Sequence, residues 1–340
     1  MSDKVVNVPL FYSVRDGGAN EVRGGSKDFT MGEIIREACS IGDAINAITE
    51  IVAIKKQDRF CDCEYYFRGE NHNFLTEDGA VPDAHVPTTL YRDKGFVENE
   101  HLIFNEIVRT YPDVFRDDKT TFEMLARMQH YYFPTRLMDI TSNVMVAMAF
   151  SVVKGVNAAK DFLDVPGFIH IYAAKRSKIK YSTGDTVSGI CAMVKVPANR
   201  IRGKKLQCVA YEAQKERPGF DRYHDCGDTA VRFDADRRKV WCVKSVINNN
   251  RIKVQSGDFF LFGCEDNKME LDATFREDDY GKRGAATEYM ARVGVVKIMP
   301  KAKGQIHKNL QYLGVGLERL YPEFTKFNEY IYENYSQKGK

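Results

Sequence analysis

Two stretches of this 340-residue chain put chemically capable side chains where a plain core would be apolar. The first is Tyr66-Phe67-Arg68-Gly69-Glu70. The second is LARMQHYYFPTRLMDITSN, Leu125 to Asn143, which sets His130, Thr135, Arg136, Asp139, Thr141 and Ser142 between two apolar segments. Buried polar groups need partners or a ligand. A guanidinium at a strand end beside glycine, as at Arg68-Gly69, can hold a phosphate through paired hydrogen bonds while backbone approaches the ligand closely. His130 offers a ring nitrogen to a ligand, or serves the scaffold alone. Tyr65, Tyr131 and Tyr132 offer ring faces for stacking. Each residue also has a structural reading. Arg68 can pair with Asp139 or Glu70. Arg136 can pair with Asp139 three residues on, or cap carbonyls. Thr141 can simply start a helix, and Gln255 can be an ordinary strand-end residue.

The elements that must position these groups are read from periodicity. Ile41, Ile45, Ile48 and Val52 recur at helical spacing, predicting an amphipathic helix within 31–56. The aromatic run 64–70 predicts a strand ended by Gly69, and 71–90 a loop. A helix is expected over 96–111. Another begins at Thr121 and stops before Pro134. A third, Val144 to Val153, is capped by Asn143. Strands are expected at 168–172, 190–196, 240–247, 259–262 and 293–298. The charged stretches 213–240 and 264–288 read as loops or insertions, and the tail from Ile306 to Ile331 as helix. Helices thus fall mainly in the first half, and a mixed or antiparallel sheet mainly in the second. That segregation predicts an α+β fold. The expected division is an arm and helix over 1–57, a main domain over 58–333 with insertions at about 155–240 and 264–288, and a tail over 334–340.

Composition excludes several classes. Lys and Arg total 50 against 47 Asp and Glu, a net charge of +3, which is no polycation, yet basic clusters occur at 175–180, 200–205 and 237–239. Such clusters can neutralise phosphates, or be solvated faces. No apolar run reaches the ~20 residues of a spanning helix and no signal core is read, so a soluble cytoplasmic protein is expected, without a membrane partner. The eight cysteines read as reduced thiols. Cys61-Asp62-Cys63 and His224-Asp225-Cys226 lack the spacing of a structural zinc site, and no metal is expected. Neither a dinucleotide glycine fingerprint nor a P-loop is present, and no zincin, hydrolase or kinase signature appears. Carboxylates suited to a two-metal nuclease are not clustered.

FRGE, followed by QHYYFPTRLMDITSNVMVAMAFS, resembles the FRG domain, whose pattern is roughly FRG-[EQ], then QHxGxPTRLLDWTxNPxxAxxFA. The chain departs at Tyr132, where glycine is usual, at Ile140 for tryptophan and at Val144 for proline. Over 240–328 the likeness is looser: RIKVQSGDF from Arg251 to Phe259, Lys297-Ile298-Met299-Pro300, Leu313-Gly314-Val315 and Leu320-Tyr321-Pro322-Glu323. The order of motifs is similar to that of ADP-ribosyltransferases and implies their split sheet core. The resemblance implies NAD as substrate and three catalytic positions. Arg68 takes the first, contacting phosphate or the nicotinamide ribose. Thr141, with Ser142, takes the second, and Gln255, with Asp258 nearby, the third. A glutamate is usual in the third. Gly69, Glu70, His130, Thr135, Arg136 and Asp139 join Arg68, Thr141 and Ser142 as expected NAD contacts. The implied role is an intracellular bacterial toxin or anti-phage effector that ADP-ribosylates a nucleic acid, RNA first, with an antitoxin or chaperone as partner. Transfer to protein, or a non-catalytic nucleotide- or protein-binding module, is the alternative.

Overall fold

The structure is a computed structural model that describes residues 33–73, 81–82, 88–153, 164–202, 206–217, 228–246, 250–265, 271 and 273–320. The chain divides into units Met1–Met31 and Gly32–Lys340. The first lies outside the described residues, as do the expected leading arm, His224, Cys226 and the tail beyond Leu320.

The described residues contain eight strands in one mixed sheet: β1 (Ile34–Ala38), β2 (Cys63–Glu70), β3 (Leu137–Thr141), β4 (Gly167–Lys175), β5 (Lys180–Tyr181), β6 (Val240–Lys244), β7 (Gly257–Phe262) and β8 (Met290–Ile298), in the order β1-β8-β4-β2-β3-β7-β6-β5. The two edge pairs, β1–β8 and β5–β6, are parallel and the interior pairs antiparallel. The helices are α1 (Ile41–Lys56), α2 (Lys94–Glu98), α3 (Glu100–Thr110), α4 (Thr121–His130), α5 (Val144–Val152), α6 (Asp185–Ala192), α7 (Ala198–Arg202), α8 (Leu206–Glu216), α9 (Asp228–Arg237), α10 (Asn250–Gln255), α11 (Pro300–Tyr312) and α12 (Leu317–Leu320).

The class is α+β, as expected, but the segregation is not. Strands β1 to β3 lie in the first half, and helices α6 to α9 lie between β4 and β6. Residues 190–196, expected as a strand, end α6 and pass into a 3-10 turn. That apolar run is short, and its burial on all sides gives helix and strand the same pattern. The stretch 213–240, expected as loop, carries the end of α8 and all of α9. The helix expected over 96–111 is broken at Asn99 into α2 and α3. Helix α1 belongs to the second unit, where Ile48 and Ile51 pack with Ile34, Val293 and Val296.

Three cores hold the sheet. On one face, Ile48 and Ile51 of α1, Ala147 and Met148 of α5 and Ile306 and Leu310 of α11 cover Phe67, Ile169, Ile171 and Val296. Beside them, Phe104, Phe122, Leu125 and Ile190 cover Leu137, Trp241, Phe259 and Leu261. The opposite face buries Tyr66, Met138, Ile140, Tyr172 and Phe260 beneath Leu271, Ala273 and Phe275. Helix α5 is apolar all round and accordingly buried. Asn143 caps it, its Oδ1 accepting from the Met145 N–H at 2.9 Å. None of the described helices is long and apolar enough to cross a membrane.

Helix α11 ties down the end of β2 through Lys303. This fully buried ammonium donates to the carbonyls of Asn71 (2.6 Å) and Val165 (3.0 Å), and burial pushes it down to about 8. From about pH 8 to about pH 10.4 the unfolded chain holds a proton at this lysine that the folded chain releases, so stability rises with pH there. Denaturation midpoints should climb across that window in the native protein, and the climb should be missing in Lys303→Met.

Candidate functional site

Strand β2 runs beside β4 along its whole length, from Cys63↔Lys175 to Glu70↔Phe168, yet among the described residues it meets β3 only at Phe67↔Thr141. The sheet therefore opens between β2 and β3, and Arg68 fills the opening. Its Nη1–H donates to the Asp139 carbonyl across the gap (2.9 Å) and its Nε–H to Glu70 Oε1 (3.0 Å). A guanidinium has five N–H groups. The Nη2 group makes no hydrogen bond among the described residues, and the side chain keeps 19% of its exposure. The guanidinium is thus braced by the protein and open to solvent.

A polar ladder backs it across the sheet. His170 on β4 lies opposite Arg68, with Nε2 3.2 Å from Glu70 Oε2 and Nδ1 3.3 Å from Arg292 Nη1. An arginine only donates, so Nδ1 accepts and Nε2 carries the proton to Glu70. Burial pushes His170 down despite the Glu70 carboxylate, and the ring is neutral at pH 7. Burial would raise Glu70, but the His170 hydrogen bond and the Arg68 charge hold it well below the usual carboxylate range. Arg292 is paired in turn with Glu33 (Nη2 to Oε2, 2.9 Å). A second guanidinium, Arg92, is pushed down by burial and by the Arg68 charge. The sequence signal for His170 was one polar residue inside an apolar strand, FIHIY. Arg92 and Arg292 had none.

The expected site residues do not all meet. Directly opposed residues of an antiparallel pair share a face, so Thr141 lies on the face of Phe67, against the helices. Arg68 shares the other face with Tyr66, Met138 and Ile140. Thr141 Oγ1 donates to the Gln255 carbonyl (2.6 Å) and accepts from the Asn143 N–H (3.0 Å). Gln255, expected on a late strand, ends α10, and its amide donates to the Leu320 carbonyl (2.8 Å). Thr141 and Gln255 are therefore joined, but away from Arg68. Asp258 lies opposite Ile140 on β7, hence on the Arg68 face. It accepts from the Ser245 N–H (3.0 Å), and burial pushes it up. Ser142 is exposed just beyond β3.

Three further expectations are corrected. Gly69 gives no room to a ligand: a Cβ there would stand 1.8 Å from the Ala147 carbonyl oxygen, so helix α5 occupies the space. Arg136 is fully buried and donates to Glu100 Oε2 (2.5 Å), Tyr91 Oη (2.9 Å) and the Gly263 carbonyl (3.1 Å). Its partner is Glu100, not Asp139, and it has no surface for NAD. Thr135 is buried and donates to Gln129 Oε1 (2.6 Å). Asp139 is exposed, its carboxylate accepting from Gln129 Nε2 (2.9 Å). His130 ends α4, stacked on Tyr131.

The basic stretch 175–180 begins at the far end of β4, opposite Cys63, five residues or about 16 Å along β2 from Arg68. Lys178 and Lys180 lie over the rings of Tyr289 and Trp241. Of the stretch 200–205, only Arg200, Ile201 and Arg202 fall within the described residues. No group of three or more residues that could hold a metal ion occurs among the described residues.

The model of a family described as the FRG domain matches residues 64–160, which take in β2 from its second residue, α2, α3, α4, β3 and α5. The looser likeness over 240–328 lies outside that match. No curated protein and no solved structure matches the chain.

Proposed function

Residues 64–160 are an FRG domain, and from that premise we propose that the chain is an NAD-dependent ADP-ribosyltransferase whose dinucleotide binds at the opening between β2 and β3. The observation that carries the reading is the free Nη2 group of a half-buried Arg68, whose Nε–H and one Nη1–H are spent on Glu70 and the Asp139 carbonyl. A guanidinium fixed in this way can take a phosphate without reorganising. Ionised Glu70 keeps it in place, and neutral His170 keeps Glu70 in place. Breaking the nicotinamide glycosidic bond builds positive charge on the ribose, and a carboxylate on the same face can offset it. Asp258 is better suited to that part than Gln255, whose amide is committed to Leu320. The proposed acceptor is a nucleic acid, RNA first, and the proposed setting is toxin or anti-phage action in the cytoplasm with an antitoxin or chaperone partner.

A second reading, a non-catalytic nucleotide-binding module, is favoured by one observation. The Thr141 hydroxyl is committed to backbone on both its donor and acceptor sides and faces away from Arg68.

One pair of measurements separates them. Nicotinamide release from NAD should be seen with the native protein and fall at least about a hundredfold in Arg68→Lys, because an ammonium cannot reproduce the fork. Calorimetric binding of NAD should weaken in the same variant. Binding without release at any protein concentration supports the module, and no binding of NAD overturns both.

A further inference from the structure

Strand β4 ends in Lys175, and the 3-10 turn that follows carries Arg176 and Lys178. Lys175 and Arg176 are exposed and Lys178 is half-buried. None of the three forms an ion pair among the described residues. The carboxylate that feels Arg176, that of Glu64, is already paired with Lys244 (2.8 Å). Against them stands exposed Asp62, whose carbonyl takes the Arg176 N–H (3.0 Å). Lys178 is held by a ring instead of a carboxylate, its ammonium lying 5.0 Å from the centre of Tyr289. A carboxylate would cancel that charge. A ring face fixes the ammonium and leaves the charge to act outward.

A second basic pair adjoins this turn through an unbroken set of contacts. The Tyr289 carbonyl takes the Lys175 N–H (2.8 Å), and the other ammonium over the Tyr289 ring is that of Lys239 (4.5 Å). Lys239 pairs with Glu288, and the same carboxylate oxygen accepts from the Gly284 N–H (3.3 Å). Gly284 lines a cavity of about 380 Å³ with Asp279, Lys282, Arg283 and the backbone on to Thr287. Lys282 stands 3.8 Å from Asp279, and exposed Arg283 forms no ion pair among the described residues.

We propose that the turn 175–178 and the cavity at 282–287 form one docking surface for the phosphate backbone of a single-stranded nucleic acid. Cations that no acid neutralises, set in a row that ends in a concavity, suit a chain of phosphates. A cavity of this volume lies at the lower end of those that hold a small organic molecule, so it takes one nucleotide of an extended strand and excludes a duplex. An anionic bilayer fits less well. It is flat at this scale and cannot follow the surface into the cavity, and no large apolar side chain is exposed within 175–180 or 282–288 to enter lipid. The surface begins about 16 Å along β2 from Arg68, so it anchors the strand apart from the proposed dinucleotide. The proposal rests on the nucleic-acid acceptor of the transferase reading and says where its backbone lies, but its test does not depend on turnover.

Binding of a fluorescein-labelled RNA decamer of uridine is followed by anisotropy over a salt series, with urea midpoints measured in parallel. Each phosphate neutralised adds about 0.7 to the salt slope of a single strand. Arg176→Gln with Arg283→Gln should therefore flatten the slope by about 1.4 and weaken binding about tenfold at low salt. Both side chains are exposed, so the urea midpoint should stay native. Lys301→Gln with Lys308→Gln removes the same charge from the exposed side of α11 and should leave slope and affinity nearly unchanged. Failure of the native protein to bind the decamer, or equal loss in the two double variants, overturns the surface. So does capture by phosphatidylcholine vesicles holding about one-fifth phosphatidylserine in place of RNA. Decamer binding by a protein that releases no nicotinamide leaves the surface standing and the transferase reading fallen. Nicotinamide release by a protein that binds no decamer does the reverse.

Discussion

Adding one methyl group at position 69 should leave the protein unfolded. A Cβ on Gly69 would meet the Ala147 carbonyl oxygen at 1.8 Å and its carbon at 2.8 Å. Both atoms are helix backbone, so no side-chain rotation relieves the overlap. Either α5 lifts from β2 or the strand leaves the sheet. Each route exposes part of the core formed by Phe67, Val146, Ala147 and Ile169. Gly69→Ala is therefore expected to cost at least about 4–5 kcal/mol, at the extreme of single substitutions, and to be recovered mainly as insoluble protein. Gly304→Ala is the matched control. It lies within α11 with nothing within 4 Å of an added Cβ, and alanine is the better helix former by about 1 kcal/mol, so that variant should be native-like or slightly more stable in urea. A soluble, cooperatively folding Gly69→Ala would mean that α5 does not sit this close to β2.

What the sequence reveals follows from where the physics is local. Capping is local: Asn143 at the head of α5 and Pro134 after α4 mark boundaries that the structure keeps. Periodicity is nearly local, and it finds α1 and the strands β2, β4, β6, β7 and β8 within a few residues. Strand β3 is hidden in the sequence because Leu137–Thr141 is short and its polar members, Asp139 and Thr141, look like loop chemistry out of context. Residues 190–196 misled for the opposite reason. A run buried on every side has no polar face to betray its period, so only tertiary packing decides between helix and strand.

The site was legible as a set of residues but not as a geometry. Arg68 and Glu70 are two apart on a strand, share a face and pair, which the sequence permitted. That Thr141 faces the other way depends on the register Phe67↔Thr141, and register between strands more than 70 residues apart leaves no local trace. Tyr132 shows a middle case. Its departure from a glycine pattern is visible in the residues, but that it stands in a left-handed backbone position (φ 65°) appears only in the structure.

Arg136→Met should destabilise the fold by about 3–5 kcal/mol, because it strands a buried carboxylate. Arg136 and Glu100 are paired at 2.5 Å with almost no exposure of either, and the guanidinium also serves Tyr91 and the Gly263 carbonyl. The charge left behind, not the bond lost, sets the penalty, and this has two measurable consequences. First, burial already pushes Glu100 up even beside Arg136. Without the arginine, the folded carboxyl takes a proton more readily than the unfolded one, so the variant's deficit should shrink as pH falls through the carboxylate range and be largest near neutrality. Second, Arg136→Met with Glu100→Leu should recover most of the loss at pH 7, since an apolar pair of similar volume can replace a buried ion pair. Urea midpoints of the two single variants and the double variant complete the cycle. On the proposed reading, a double variant that also regains NAD binding lost in Arg136→Met would show that the arginine of Pro134-Thr135-Arg136 acts by holding β3 beside α3, and that its conspicuous place in the motif reflects folding rather than contact with a ligand. A double variant that folds like the native protein but binds nothing would instead give Arg136 a direct part at the site, against its full burial.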